Sequence, residues 1–107
     1  KNYVVRSISF NDYGDWVIVS DEYYATSSTE LTNWLKNGSN NWGRLWAVCI
    51  TDDAAVAVFA NGFCYKGNVP EDLKEALRST TFDVYRLKIS GISWFFADTN
   101  GNYRYKM

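Results

Sequence analysis

The acidic side chains are the first candidates for chemistry in this chain. Among the adjacent acidic pairs of the sequence, we single out Asp21-Glu22 and Asp52-Asp53. A glycosidase holds two carboxylates about 5–10 Å apart across a sugar. Both pairs fall between predicted strands, where Asp is favoured because its side chain accepts hydrogen bonds from nearby backbone amides. We therefore interpret both pairs as turn residues, and a small carboxylate-dependent glycan hydrolase remains an alternative.

Other kinds of catalytic or metal centre lack their usual residues. The chain has no histidine, no CxxC, no P-loop and no GxGxxG motif, so the common signatures of acyl transfer, zinc and nucleotide sites are missing. The segment Asp98–Asn102 has Gly at its fourth position, whereas a calcium loop of the EF-hand type needs Gly at the sixth, so we predict a hairpin turn there. Cys49 and Cys64 form either one disulfide or two buried thiols. We predict no catalytic residue, no metal and no cofactor, and the sequence favours a non-enzymatic function.

The aromatic side chains are the remaining candidates for a site. Five Trp, eight Tyr and six Phe make up 18% of the chain, more than a core of this size needs. Exposed Tyr and Trp rings are common in binding surfaces because they offer a large contact area at low entropy cost. Trp42 lies in a polar segment and Tyr13 in a predicted turn, and tyrosines recur in short predicted strands. The predicted binding residues are Trp42, Tyr13, Tyr24, Tyr65, Tyr103 and Tyr105. Alternatively, the strand tyrosines only cap the edge of a sheet.

Three pairs of predicted strands must position these residues. Each leading strand alternates apolar and other residues with the period of two that is typical of a half-buried strand. The pairs are 4–10 with 15–20, 45–51 with 54–60, and 84–90 with 93–97, a spacing near 40 residues. Each pair precedes a turn and a short aromatic strand. Asn61-Gly62 and Asn100-Gly101 predict type I′ turns, because both residue types accept a positive φ.

Two short helices are predicted after the first and second strand groups. Ser27 and Glu30 have the spacing of a capping box, and Gly38 is placed to end the first helix. Pro70 suits the first turn of the second helix. Each helix has apolar residues at i, i+3 and i+4, which are Leu31, Trp34 and Leu35 in the first and Leu73, Ala76 and Leu77 in the second.

These elements predict an α+β fold, with three pseudo-repeated antiparallel β-hairpin or meander units and two short helices. We expect one domain over residues 1–107, with the copies at about 3–40, 44–80 and 83–107.

The units resemble a repeat found in tandem in bacterial, often exported, proteins, of the form W-V-V-x(4)-N-G-Y…I-P-x-x-L-x-x-x-L. The residues that carry the resemblance are Trp16–Val19 in the first unit, and Val56–Phe63 and Val69–Leu77 in the second. The second unit has Ala55 where the pattern has Trp. The resemblance implies no defined activity. It favours an extracellular or exported protein, and a cytoplasmic protein is the alternative. A first residue Lys1 in place of Met fits either removal of an export signal or trimming of the chain.

Charge and hydropathy restrict the class of partner. Eleven Lys and Arg oppose twelve Asp and Glu, whereas a nucleic-acid binder usually has a basic surplus. No apolar run approaches the roughly 18 residues of a membrane span. We therefore expect neither nucleic-acid binding nor membrane insertion.

The predicted function is a non-enzymatic binding module that recognises a protein or glycan partner through exposed aromatic loops. A small inhibitor of the immunity or anti-defence type is an alternative. The third unit leaves the strands of residues 93–106 without a helix to cover them, and exposed sheet edges tend to pair. A homodimer through this edge is therefore a further hypothesis.

Overall fold

A computed structural model of the protein describes residues 5–20, 23–81 and 83–107. The predicted α+β fold is confirmed, since the strands form three antiparallel sheets of three strands, with orders β1-β2-β3, β4-β5-β6 and β7-β8-β9. The elements are β1 (Val5–Phe10), β2 (Trp16–Ser20), β3 (Tyr24–Thr26), α1 (Thr29–Trp42), β4 (Leu45–Ile50), β5 (Ala54–Phe59), β6 (Gly62–Gly67), α2 (Glu71–Ser79), β7 (Arg86–Ser90), β8 (Ser93–Ala97) and β9 (Tyr103–Lys106). The predicted strand start at Val4 and the predicted turn at Asp21-Glu22 lie outside the described residues.

Each helix lies between two sheets. Leu31 and Leu35 of α1 belong to one apolar cluster with Val17 and Val19 of the first sheet and with residues of the second sheet. Leu73, Ala76 and Leu77 of α2 join the opposite face of the second sheet to the third sheet. The middle sheet is therefore covered on both faces, which explains why every residue of β5 is buried.

The leading strands of neighbouring units lie beside one another in the order β1, β4, β7. Side chains of β1 bind the backbone of β4. Arg6 donates from Nη2 to the carbonyl oxygen of Trp46 at 3.2 Å, and the amide of Ile50 donates to Ser9 Oγ at 2.9 Å. Between β4 and the segment before β7, the rings of Trp46 and Tyr85 meet edge to face with centroids 4.6 Å apart. Polar contacts on one side and an aromatic contact on the other thus hold the three sheets together.

Helix α1 begins and ends at residues other than those predicted. Its N-cap is Ser28, whose Oγ accepts from the amide of Leu31 at 3.2 Å, so the predicted capping by Ser27 is wrong. Ser27 Oγ instead accepts from the amide of Trp16 at 2.9 Å. The helix continues through Gly38 and ends at Trp42, with Gly43 as its C-cap at φ +91°. Gly38 is buried, and a Cβ there would overlap the ring of Phe59. Its role is therefore to let the helix approach β5 closely.

The two Asn-Gly pairs do not form type I′ turns. Such a turn needs a positive φ at both central residues, and no described residue other than glycine has one. Phe59 pairs with Gly62, so the two residues of that turn are Ala60 and Asn61, and Gly62 already belongs to β6. A Cβ at Gly62 would overlap the indole of Trp42, which explains the glycine by packing.

Helices α1 and α2 have 14 and 9 residues, whereas a membrane-spanning helix needs about 20. Over the part of the chain that the structure describes, neither is long and apolar enough to cross a bilayer.

The substitution Gly38→Ala tests the contact between α1 and β5. In an exposed helix interior this change stabilises by about 0.5–1 kcal/mol. Here we expect a net loss of about 1–2 kcal/mol in the free energy of unfolding, because overpacking against Phe59 outweighs the gain in helix propensity. Urea denaturation measures the difference.

Asn37→Ala, at an exposed position one residue earlier, is the matched control and should be neutral or slightly stabilising. The double variant Gly38→Ala, Phe59→Leu should show a favourable coupling energy. A stabilising Gly38→Ala would contradict the packing that we describe.

Candidate functional site

The outer face of the third sheet presents three exposed aromatic rings side by side. Phe95 lies on β8, and Tyr103 and Tyr105 lie on β9. The ring centroids of Phe95 and Tyr103 are 6.2 Å apart, and those of the two tyrosines are 6.0 Å apart, with planes inclined by 23° in each pair. The side chains are 39%, 58% and 58% exposed. We call this surface, together with Arg86 and Lys88 of β7, the aromatic face.

Strand alternation places these residues on one side of the sheet. Lys88 pairs with Phe95, and Phe95 pairs with Tyr105, so the three side chains share a face. Trp94 and Phe96 point to the opposite side, where they are buried against α2 and stack on each other at 5.6 Å. Burial of one face of β8 therefore determines the exposure of the other.

The inner side of β9 anchors the aromatic face to the rest of the protein. Arg104 donates to the carbonyl oxygen of Ala76 at 3.1 Å and to Ser79 Oγ at 2.9 Å, both on α2. Lys106 forms an ion pair of 2.6 Å with Asp72, which also accepts from the indole of Trp94 at 3.0 Å. The hydrogen bond from Lys106 holds the pKa of Asp72 below its ordinary value. These contacts fix the strand that carries both tyrosines.

The turn before β9 is built around Asp98. One carboxylate oxygen accepts from the amides of Asn100 at 2.8 Å and Asn102 at 2.9 Å, and the other accepts from Asn102 Nδ2 at 2.7 Å. The Asn102 side chain above all, with these backbone amides, holds the pKa of Asp98 below its ordinary value despite partial desolvation. The segment Asp98–Asn102 thus connects β8 to β9 as the predicted hairpin turn. Among the described residues no cluster of three or more potential ligands could hold a metal ion.

Charge on the aromatic face is of one sign. Arg86 and Lys88 are both exposed on β7, and the sequences of β7, β8 and β9 contain no acidic residue. The face therefore combines apolar ring area with two cations, although the whole chain has a net charge of −1. A ligand suited to this face has anionic groups beside apolar or flat surface.

The predicted residues Trp42 and Tyr13 lie at opposite ends of the sheets. Trp42 is the last residue of α1 and packs on Gly62 at the turn between β5 and β6. Tyr13 is 76% exposed in the turn between β1 and β2. That turn adjoins the one at the start of β5, since the amide of Asp12 donates to Asp52 Oδ1 at 2.8 Å. The two rings belong to separate surfaces.

The four predicted strand tyrosines also lie on different surfaces. Tyr24 is half-buried against the core of α1, and desolvation raises its pKa. Tyr65 is 42% exposed on the second sheet, with the Lys74 ammonium 4.3 Å from its ring centroid. Only Tyr103 and Tyr105 are neighbours. Phe95, Arg86 and Lys88, which complete their surface, were not among the predicted site residues, although the alternation of residues 86–90 already placed the two cations on one face.

Four carboxylates line a cavity on another part of the protein. A cavity of about 520 Å³ is bordered by Asp15, Glu30, Asp52 and Asp53 together with Lys66. All four carboxylates have hydrogen-bond or ion-pair partners. Asp53 accepts from Thr51 Oγ1 at 3.1 Å and from Asn68 Nδ2 at 3.4 Å, and Glu30 forms an ion pair of 3.3 Å with Lys66. The turn interpretation of Asp52-Asp53 fits these bonds, while the convergence of the carboxylates keeps hydrolysis among the candidates.

The two cysteines are free thiols. Cys49 pairs with Val56 and Cys64 with Ala57, so they point to opposite faces of the middle sheet and cannot be bridged. Desolvation raises the pKa of both, that of Cys64 to about 11. This desolvation disfavours the thiolate, which is the reactive form of cysteine.

Comparison with known proteins gives no relative for this site. No family model, no curated protein and no solved structure matches the chain.

The Asp98 turn gives a testable dependence on pH. A carboxyl whose pKa is lower in the folded state than in the unfolded state stabilises the fold above the unfolded value, and this stabilisation is lost as the pH falls through the folded value. We expect the melting temperature of the wild type to drop below pH 4, near the ordinary Asp value of 3.8, and Asp98→Asn to remove part of that drop. Thermal melts between pH 7 and pH 2 measure it.

Asp83→Asn, which changes an exposed carboxylate, is the control and should keep the acid limb of the wild type. An unaltered acid limb in Asp98→Asn would show that the turn does not depend on the ionised carboxylate.

Proposed function

We propose that the protein is a non-enzymatic binding module that uses the aromatic face to bind an acidic polypeptide segment. The observation that carries the proposal is the group of three neighbouring exposed rings beside Arg86 and Lys88, with no acidic residue in the strands concerned.

The rings would supply most of the affinity. An aromatic side chain buries 150–250 Å² when it is fully covered, and such residues dominate the energetics of interfaces. The anchoring of β9 through Arg104 and Lys106 favours binding because little side-chain and backbone freedom is left to lose.

The cations and the strand edge favour a polypeptide as the ligand. Arg86 and Lys88 would attract acidic side chains and speed association at low salt. Strand β9 is the last strand of its sheet, and an edge strand has backbone groups available to pair with an added strand. An extended acidic segment beside β9 would use both features.

Alanine substitutions in the aromatic face test this proposal. A tagged wild-type chain first isolates a partner from cells of the source organism, and the purified partner is then titrated by calorimetry. We expect Tyr105→Ala to weaken binding roughly 30-fold, which is the loss of about 2 kcal/mol typical of an aromatic hot spot. Lys88→Glu should weaken binding more at low salt than at high salt, because salt screens the attraction between the cations and the acidic segment.

Tyr13→Ala is the matched control, because it removes a tyrosine that is even more exposed than Tyr105 from another surface. Equal affinities of the wild type and Tyr105→Ala would refute the proposal, and so would a loss of binding in Tyr13→Ala alone. Binding to a neutral glycan that Lys88→Glu leaves unchanged would favour a glycan as the ligand. Self-association in light scattering that Tyr105→Ala abolishes would favour the homodimer through residues 93–106.

The carboxylate-lined cavity favours hydrolysis of a glycan as a second candidate function. A hydrolase needs two carboxylates facing the substrate, and Asp15, Glu30, Asp52 and Asp53 border one cavity. If this candidate is right, release of reducing ends from a polysaccharide panel is detectable and falls by at least 100-fold in Asp53→Asn or Glu30→Gln, because either change removes an acid or a base.

Tyr105→Ala, far from this cavity in the sheet order, would leave such hydrolysis unchanged. Absence of any hydrolysis by the wild type, or equal rates in all variants, would leave the binding module as the better account.

A further inference from the structure

The first sheet presents an apolar face to solvent. Ile8 pairs with Ile18 and Phe10 pairs with Trp16, so these four side chains lie on the same side of β1 and β2. Ile8, Phe10 and Trp16 are 57%, 73% and 38% exposed, whereas Val17 and Val19 on the other side are buried against α1. We call the four residues the leading face.

The corresponding face of each later unit is covered by a helix. In the second sheet the matching pairs are Val48 with Ala57 and Ile50 with Ala55, and all four residues pack against α1. In the third sheet they are Leu87 with Phe96 and Ile89 with Trp94, and all four pack against α2. This face is thus covered in the second and third sheets by the helix that precedes each sheet, and it is exposed in the first sheet.

We propose that the leading face is the docking site of an amphipathic helix of the same type, joined to the polypeptide ahead of β1. The burial of the matching faces gives the reason. The apolar area left exposed on Ile8, Phe10 and Trp16 is removed from water at the equivalent positions of the other two sheets.

The sizes of the side chains point to a helix like α2. The small residues Ala55 and Ala57 face α1. The bulky Trp34 of α1 packs against the apolar cluster that contains them. The bulky residues Trp94 and Phe96 face α2, which has Ala76 between its two leucines. The leading face has the bulky residues Phe10 and Trp16. Close packing against them therefore favours a helix with the pattern Leu-x-x-Ala-Leu, as in α2.

The helices of a second folded copy are not suitable occupants. The apolar residues of α1 and α2 are already buried between the sheets of their own chain. A helix ahead of β1 has no such restriction. Residues 43–44 join α1 to β4 and residues 80–85 join α2 to β7, so a short connection is enough to place a helix on the sheet that follows it.

A fusion protein tests the inference on the full chain. Residues 69–80, which include α2, are attached ahead of Lys1 through a flexible Gly/Ser linker, which gives the added helix a high effective concentration. We expect the melting temperature to rise by about 5 °C and the amides of β2 to gain protection from hydrogen exchange. Both effects should vanish when Phe10→Ser is introduced in the first sheet.

The matched control is the same fusion with Asp at the two leucine positions of the added segment only, corresponding to Leu73→Asp and Leu77→Asp. It keeps the length and the linker but not the apolar stripe, and it should melt like the unfused protein. A fused segment of residues 28–42, which corresponds to α1, should give a smaller rise.

Three results would overturn the inference: no rise with the α2 segment, an equal rise with its Asp control, or a stable dimer of the unfused chain that Phe10→Ser dissociates. The third would assign the leading face to a second copy. Since the leading face and the aromatic face are on different sheets, failure here leaves the proposed function untouched, and the reverse also holds.

Discussion

The side-by-side arrangement of the leading strands is the constraint on which the rest of the structure depends. Arg6, Ser9 and Asn11 of the first unit bind backbone groups of Trp46, Ile50 and Thr51, which lie 40 or 41 residues later in the chain. Each contact joins nearly equivalent positions of two units. Because the leading strands meet in this register, the helix that follows each of the first two sheets lies over the next sheet, and the sheets and helices alternate.

This alternation determines which sheet faces are buried by a helix and which are exposed to solvent. Leu35 and Leu73 are fully buried, because each helix lies between two sheets. The end sheets have one covered face each. The free face of the first sheet consists of aliphatic and aromatic side chains, whereas that of the third combines tyrosines with Arg86 and Lys88. The two free faces therefore differ in chemistry, and we assign them different ligands: a helix for the first and an acidic segment for the third.

Local patterns in the sequence predicted the elements but not their contacts across the fold. The alternation in Arg86–Ser90 and the triplet Leu73, Ala76, Leu77 depend only on neighbours in the chain, and both predictions were right. Gly38 has the sequence context of a helix end, but its reason is the ring of Phe59, which lies on another element. Tyr103 and Tyr105 were predicted to bind. Their neighbour Phe95 could be recognised only once the third sheet was known to lack a helix on that side among the described residues.

The central claim is that each helix is held between two sheets, and contacts of a single side chain test it most directly. In a nuclear Overhauser spectrum of the methyl groups, the account predicts that Leu35 of α1 shows cross-peaks to Val17 of the first sheet and also to Ala57 of the second. Cross-peaks from Leu35 to only one of the two sheets would contradict the alternation of sheets and helices, and with it the equivalence of the three faces.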